Sequence, residues 1–276
     1  VGRRLGQHFL FDPTILDRIV DALEPTPEDV IVEIGAGRGT LTRRLEPRVG
    51  RVIALETDRD LAVRLRRELD PDGSLTVVEG DALILDWHGL VRGAGADRFK
   101  VVGNIPYYIT SPLIGRVLRP PLPHLIVFLV QREVADRLAA EPGSKVFGAL
   151  TVGVQAAATV ERLFLVPAGA FRPPPKVESA VVRLVPLERP LIAPGEHPAF
   201  RRFVQSLFSR RRKQLANALR SVTEHDRDGA RSALADLGIS PTARPEQVSV
   251  EQFAALFRLL RASVEPEAGR QVDSGA

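Results

Sequence analysis

The chain has 276 residues and a mass of 30.2 kDa, and 44% of its residues are hydrophobic, enough to build one large domain or a medium domain with a small one. It contains no cysteine, and its five histidines (His8, His88, His124, His197, His225) show no HExxH or similar spacing, which excludes disulfides, thiolate nucleophiles and Cys-type zinc sites and leaves no metal expected. Net charge is only +4 although the pI is about 9.9. The longest apolar run, "LIVFLV" at 125–130, is far short of the roughly 20 residues of a membrane span, and the N-terminus lacks a signal-peptide core, so the expected location is the cytoplasm. Methionine is absent even at position 1, and the chain is expected to be less than the complete translation product.

From residue 30 short β-branched apolar runs alternate with amphipathic segments. "VIVEI" (30–34), "RVIALE" (51–56), "LTVVEG" (75–80), "KVVGNI" (100–105) and "LIVFLV" (125–130) read as buried strands. Helix-like stretches such as "LTRRLEPRV", "RDLAVRLRREL" and "TSPLIGRVL" lie between most of them. Alternating βα units imply an α/β fold with a parallel, doubly wound sheet, whose ligands sit at the carboxyl ends of the strands. A helix is expected at 146–158, followed by two further strands, "TVERLFLV" and "SAVVRLVPL", the second behind the rigid loop "FRPPPKVE". Beyond the Pro-rich "ERPLIAPGEHP" only helices are expected, at 198–208, 212–221, 227–237 and 249–261. The partition is therefore 1–187 as the sheet domain, 188–262 as a small helical domain, and 263–276 as a polar, disordered tail.

The ends of the strands carry the chemistry. The first runs into "EIGAGRGT", where Gly35, Gly37 and Gly39 allow positive φ and close approach of a ligand to the backbone. A dinucleotide fold would want G-x-G-x-x-G, but the sixth position is Thr40, and G-x-G-x-G suits a nucleoside with no pyrophosphate to cradle. Alone, this turn is explained about as well by structure as by binding. The second strand ends in Glu56, which can take both hydroxyls of a ribose. The third ends in "EGDA", with Asp81 able to accept from an adenine amine and Ala82 beside it. Each acid alone is more often a surface residue. Together the three strand ends fit S-adenosylmethionine best, a methyl donor that needs neither metal nor protein nucleophile.

The fourth strand delivers Asn104 in "GNIPYYIT", which holds both tyrosines of the chain. An adenine amine is a poor nucleophile because its lone pair is delocalised into the ring. The Asn104 side-chain oxygen and the Ile105 carbonyl could accept its two hydrogens and turn the lone pair toward a methyl group. Pro106 would fix the loop, and Tyr107 could stack on the base. The bland alternative is an ordinary turn with packed tyrosines. The second signal is "RRFVQSLFSRRRKQLANALR" (201–220), with seven basic residues and no acidic one. Arg210, Arg211, Arg212 and Lys213 at its centre point to a polyanionic partner, against the usual fate of a charge run as a solvated helix face.

These residues resemble the ribosomal RNA adenine N6-methyltransferases, and within them the small-subunit adenine dimethyltransferases associated with kasugamycin sensitivity. The resemblance runs from "LGQHFL" (5–10) to "SVEQFAALFRLL" (249–260) and rests on "VEIGAGRGTLT", "EGDAL", "GNIPYYITSP", "QREVADRL", "FRPPPKVESAVVRL", "LFSRRRKQLANAL" and "RPEQVSVEQF" together. It implies a Rossmann-like methyltransferase domain with a small helical C-terminal domain. It implies that His8 and Leu10 join Gly35, Glu56, Asp81 and Asn104 around the cofactor, and that Phe171 faces Tyr107 across the flipped adenine. The implied partner is small-subunit ribosomal RNA in an assembling 30S-type particle, bound by a monomer, with two adjacent adenosines near the RNA 3′ end each methylated twice. Macrolide-resistance methyltransferases of large-subunit RNA share the first domain and are one alternative. A ribosome-assembly factor that clamps RNA is another, and a nicotinamide-dependent oxidoreductase is a third. Tyr108 stands where other members carry Asn, and no role for it can be derived from the sequence.

Overall fold

The computed structural model describes residues 8–69, 73–106, 108–220 and 227–264. Along the chain the elements are β1 (Phe9–Leu10), α1 (Pro13–Asp21), β2 (Val30–Ile34), α2 (Thr42–Leu45), β3 (Arg51–Glu56), α3 (Arg59–Leu69), β4 (Leu75–Glu79), α4 (Trp87–Gly93), β5 (Lys100–Asn104), α5 (Thr110–Val117), β6 (Leu125–Gln131) and α6 (Arg132–Leu138). They continue as α7 (Ala149–Gln155), β7 (Ala158–Val166), β8 (Phe171–Arg172), β9 (Ser179–Pro186), α8 (His197–Phe208), α9 (Leu215–Arg220), α10 (Arg227–Ala235) and α11 (Val250–Val264).

Seven strands form one sheet in the order β4-β3-β2-β5-β6-β9-β7. The continuous apolar runs become its central strands because both faces are covered: every residue of β2 is buried, as are the first six of β6. The chain winds outward from β2 through β3 to β4, then crosses back to β5 on the other side of β2. The strand order thus reverses between β2 and β5, and their carboxyl ends diverge to open a crevice. The backbones stay close there, since a Cβ built on Gly35 would lie 3.8 Å from the Asn104 carbonyl oxygen.

The sheet is not wholly parallel. β9 runs antiparallel to both β6 and β7, because the 12 residues between β7 and β9 form no crossover helix and simply turn the chain back. Within that turn lies β8, which pairs antiparallel with β1, Leu10 opposite Phe171 and Phe9 opposite Arg172. The N-terminal strand is thereby held by a segment some 160 residues later.

The helical unit also differs from the expected partition. The described residues up to Ala139, together with Ala157–Glu188, form one compact unit, and Ala140–Ala156 belongs with the residues from Arg189 onward. The cause is packing. Phe147, Val152 and Ala156 are buried in one cluster with Phe200, Val204, Leu207 and Phe253. The expected helix at 146–158 is α7, shortened by the start of β7 at Ala158. The expected helix at 212–221 starts only at Leu215, and residues 209–214 form a turn between α8 and α9. The expected tail falls outside the described residues from 265 on, and α11 runs to Val264.

Candidate active site at the strand ends

At the end of β2 the chain turns through three glycines with positive φ, Gly35 at 74°, Gly37 at 57° and Gly39 at 73°. They are not equivalent. Gly35 and Gly37 line a cavity of about 520 Å³, within the roughly 300–1,000 Å³ of small-molecule sites. A Cβ on Gly37 would come within 3.2 Å of the Phe9 ring. Gly39 is not among the lining residues. A Cβ there would strike Leu69 at 2.6 Å and Leu65 at 2.7 Å, so this glycine lets the turn pack on α3, which corrects its expected place at the cofactor.

Glu56, at the end of β3, is 6% exposed and reaches back to the turn. Its Oε2 accepts from the Gly37 N–H at 2.7 Å and its Oε1 from the Asp58 N–H at 2.8 Å. Two backbone donors therefore fix the carboxylate at the cavity wall, and each oxygen retains a second lone pair for a ligand hydroxyl. After β4, Asp81 and Ala82 line the same cavity. Asp81 Oδ1 accepts from the Leu83 N–H at 2.8 Å, and the Ala82 carbonyl accepts from the Trp87 Nε1 at 2.7 Å. The Arg116 guanidinium, from α5, donates to the Leu85 carbonyl and stands over the Trp87 ring. The loop after β4 is thus tied from two sides.

β5 ends at Asn104, which lines the cavity with Ile105 and Pro106. The Ile105 side chain is 1% exposed and its N–H donates to the Leu129 carbonyl at 3.0 Å, so the loop leaves the sheet from a fixed point. The Asn104 Nδ2 donates to the backbone carbonyl of His8 at 3.0 Å. That bond turns the nitrogen of the carboxamide toward the N-terminal segment and leaves Oδ1 as the acceptor on the other side. Tyr107 lies outside the described residues. Tyr108 lines the cavity and is 65% exposed.

The N-terminal segment supplies the remaining wall, where His8, Phe9 and Leu10 line the cavity beside Leu16 and Ile19 of α1. The His8 Nδ1 lies 2.8 Å from the Pro173 carbonyl oxygen, and the Thr40 hydroxyl donates to the Leu10 carbonyl at 3.1 Å. Phe171 behaves differently from expectation. It is 3% exposed, lies in the sheet-unit core with Leu10 and Val181, and is not among the lining residues. In the β1–β8 ribbon its neighbour Arg172 is the exposed residue, with its guanidinium 4.3 Å from the Phe11 ring centre. A base cannot stack on the Phe171 ring as it is packed here.

Among the lining residues that the sequence analysis did not single out, one is a buried acid. Glu33, inside β2, is 2% exposed, and burial pushes its carboxyl up to about 7, against the Thr42 hydroxyl that donates to its Oε2 at 2.6 Å. The carboxylates of Glu56 and Glu46 add to the rise. The available signal was an acid in the middle of the apolar run "VIVEI". Among the described residues no group of three or more His, Cys, Asp or Glu could hold a metal ion, and no helix is long and apolar enough to cross a membrane.

The helical unit carries the basic turn. Arg210, Arg212 and Lys213 are exposed in it. Arg211 is turned to structural work, with Nε 3.5 Å from Glu246 Oε2 and a terminal nitrogen donating to the Lys145 carbonyl at 2.8 Å.

A switch-point crevice lined by a glycine turn, a buried Glu at the end of β3, and an Asn at the end of β5 defines a Rossmann-like methyltransferase. The chain belongs to the ribosomal RNA adenine dimethylase family, whose model matches residues 2–262. It is 44% identical to the ribosomal RNA small subunit methyltransferase A of Nitrosococcus oceani over 258 residues, covering 93% of this chain and 94% of that one. The enzyme of the same name from Thermosynechococcus vestitus is 44% identical over 265 residues, covering 94% and 96%. Among solved structures, a dimethyladenosine transferase from Plasmodium falciparum superposes with a TM-score of 0.80 at 26% identity, over 93% of this chain and 98% of that one. The 23S rRNA methyltransferase ErmE gives 0.71 at 29% identity, over 92% and 99%.

Proposed function

We propose that this protein transfers methyl groups from S-adenosylmethionine to N6 of two adjacent adenosines near the 3′ end of small-subunit ribosomal RNA, during assembly of a 30S-type particle in the cytoplasm, and acts as a monomer. The observation that carries the reading is the Asn104 carboxamide, anchored through Nδ2 with Oδ1 left to accept, at the rim of a cavity walled by Gly35, Gly37 and Glu56. The cavity fits the donor molecule. Its positive-φ glycines let a ligand approach the backbone, Glu56 offers acceptors for ribose hydroxyls, Asp81 and Ala82 line the same cavity, and the acids Glu56 and Asp81 suit a cationic ligand. When bound, the sulfonium supplies an activated methyl group that needs no metal.

The chain's own residues then have distinct tasks. In the first transfer Asn104 Oδ1 and the Ile105 carbonyl accept the two N6 hydrogens and draw the N–H bonds out of the ring plane, which frees the lone pair from the ring; in the second transfer one hydrogen remains to be held. The N6 nitrogen forms the new bond to carbon as the carbon–sulfur bond breaks, and the proton left on nitrogen passes to solvent. No strong base is required, so the gain comes from positioning. Pro106 holds the turn, and Tyr107 stacks on the flipped base. Arg210, Arg212 and Lys213 hold RNA phosphates, with Arg211 bracing the turn between them.

Incubation with labelled S-adenosylmethionine and a mixture of unmethylated small and large subunits, followed by digestion and mass spectrometry of each RNA, should yield N6,N6-dimethyladenosine at two adjacent positions of the small-subunit RNA. Label confined to large-subunit RNA would overturn the assignment of the substrate.

A further inference from the structure

Tyr108 has no part in the chemistry above, yet it is an aromatic side chain that lines the cavity while 65% exposed. Rings of its size bury roughly 150–250 Å² when packed, so leaving one in water forgoes a large stabilisation. Tyr108 lies in a turn where the Pro106 carbonyl accepts from the Ile109 N–H at 3.1 Å and from the Thr110 hydroxyl at 3.3 Å. α5 begins at Thr110, and the Ile109 carbonyl takes the Leu113 N–H at 2.9 Å, the first bond of that helix. The residue is therefore followed at once by backbone fixed to a helix at Ile109.

A base drawn out of a strand uncovers the faces of its neighbours, and proteins that hold single-stranded RNA cover such faces with aromatic rings. If Asn104 holds the target amine at the rim, the adjoining nucleotide crosses the mouth where Tyr108 stands. We infer that Tyr108 stacks on the base next to the target adenosine and so selects an RNA that presents an unpaired neighbour, an inference that rests on the reading proposed above. The hydroxyl stays in water at the edge of the stack, so the ring face and not the hydroxyl carries the contact. Of the acids on the proposed cofactor side, Glu33 and Glu56 are buried and Asp81 is half-buried, whereas Tyr108 is exposed.

The test compares the unsubstituted protein with Tyr108→Ala and Tyr108→Phe on unmethylated small subunits, with S-adenosylmethionine binding and thermal unfolding measured alongside. Expected is a rise of about 10-fold in KM for the RNA substrate in Tyr108→Ala, with kcat and cofactor affinity within about twofold, and restoration by Tyr108→Phe. A second measurement uses oligoribonucleotides spanning the methylated sequence, with the base on either side of the target replaced in turn by an abasic residue. One replacement should weaken binding to the unsubstituted protein and leave binding to Tyr108→Ala unchanged. An unchanged KM, or equal abasic penalties in both proteins, overturns the stacking. Weakened cofactor binding in Tyr108→Ala moves the ring into the cofactor site and overturns it too, as does a fall in kcat at constant KM, which would put the ring on the target base. Absence of any methyl transfer to RNA by the unsubstituted protein overturns the functional reading itself, and with it this inference.

Discussion

The side-chain nitrogen of Asn104 and the backbone carbonyl of His8, 96 positions apart, meet at 3.0 Å, and this one bond decides which end of the Asn104 carboxamide faces the cavity. A carboxamide otherwise has two orientations of similar shape and opposite hydrogen-bonding sense.

Replacing Asn104 by Asp keeps the shape and removes the donor, so a carboxylate oxygen would confront the His8 carbonyl. We predict that Asn104→Asp and Asn104→Ala lower kcat on RNA by about 100-fold or more, while S-adenosylmethionine affinity falls by less than about 10-fold. Single-turnover methylation set beside equilibrium binding of the cofactor separates the two effects. Unchanged turnover in either variant would remove the proposed role of the side chain.

Glu33 gives the protein a specific pH dependence. Its carboxyl is raised from 4.5 to about 7 in the folded protein, so between these values the folded state holds a proton that the unfolded chain has released. The associated stability is fully present below about pH 4.5 and is lost as pH rises through about 7, an effect on the order of 3 kcal/mol. In Glu33→Gln the amide oxygen can still accept from Thr42, and nothing titrates. Denaturant unfolding from pH 4.5 to 7.5 should therefore show a downward slope in the unsubstituted protein that is shallower in the variant. Parallel pH profiles would contradict the raised carboxyl.

The three glycines of the turn should separate by function. Gly39→Ala meets Leu65 and Leu69 and a positive φ, and is expected to cost about 1–3 kcal/mol of stability. Gly37→Ala presses on the Phe9 ring at the cavity wall, and is expected to weaken cofactor binding more than it weakens the fold. Paired thermal unfolding and cofactor titrations decide it; equal loss of binding per unit loss of stability in both variants would erase the distinction.

In the basic turn, Arg210, Arg212 and Lys213 are expected to contribute to the salt dependence of RNA binding. Alanine at all three should reduce the slope of log affinity against log salt by about 0.7 for each lost phosphate contact. Arg211→Ala should instead act on stability, by less than about 1 kcal/mol, since its partner Glu246 lies in the same unit. A slope unaffected by the triple substitution would leave the turn as a solvated surface.

Much of the fold was legible because buried parallel strands are written as unbroken apolar runs: 30–34 and 51–56 appear with the bounds read from the sequence. The antiparallel edge was not, since "SAVVRLVPL" reads the same in either direction and only the absence of a crossover helix reverses it. β1 is two residues long and carries no periodicity, so its pairing with β8 is decided by tertiary contact alone. α1 was missed although Asp12 caps it through the Ile15 N–H, with Pro13 at its first position. In the candidate site, Gly35, Glu56, Asp81, Ala82 and Asn104 were singled out because they lie at strand ends, and all of them line the cavity. Gly39 was assigned by its place in the G-x-G-x-G turn and Phe171 through the family resemblance, yet each packs against the core: one residue along a turn or ribbon is enough to reverse a side chain's direction. Glu33 went unread because burial, which raises its carboxyl, leaves no mark in a residue's identity.

The β1–β8 ribbon makes closure of the ligand cavity wait for a segment synthesised well after most of its binding residues. β2 through β6 carry the glycine turn, both acids and Asn104, and all of them leave the ribosome before residue 171 does. Until then Phe9 and Leu10 have no strand to pair with, His8 has no Pro173 carbonyl beside it, and the carbonyl that orients Asn104 is untethered. A nascent chain stopped at residue 150 would hold most of the binding side chains with an open wall, so tight cofactor capture waits for a segment to which none of those side chains belongs.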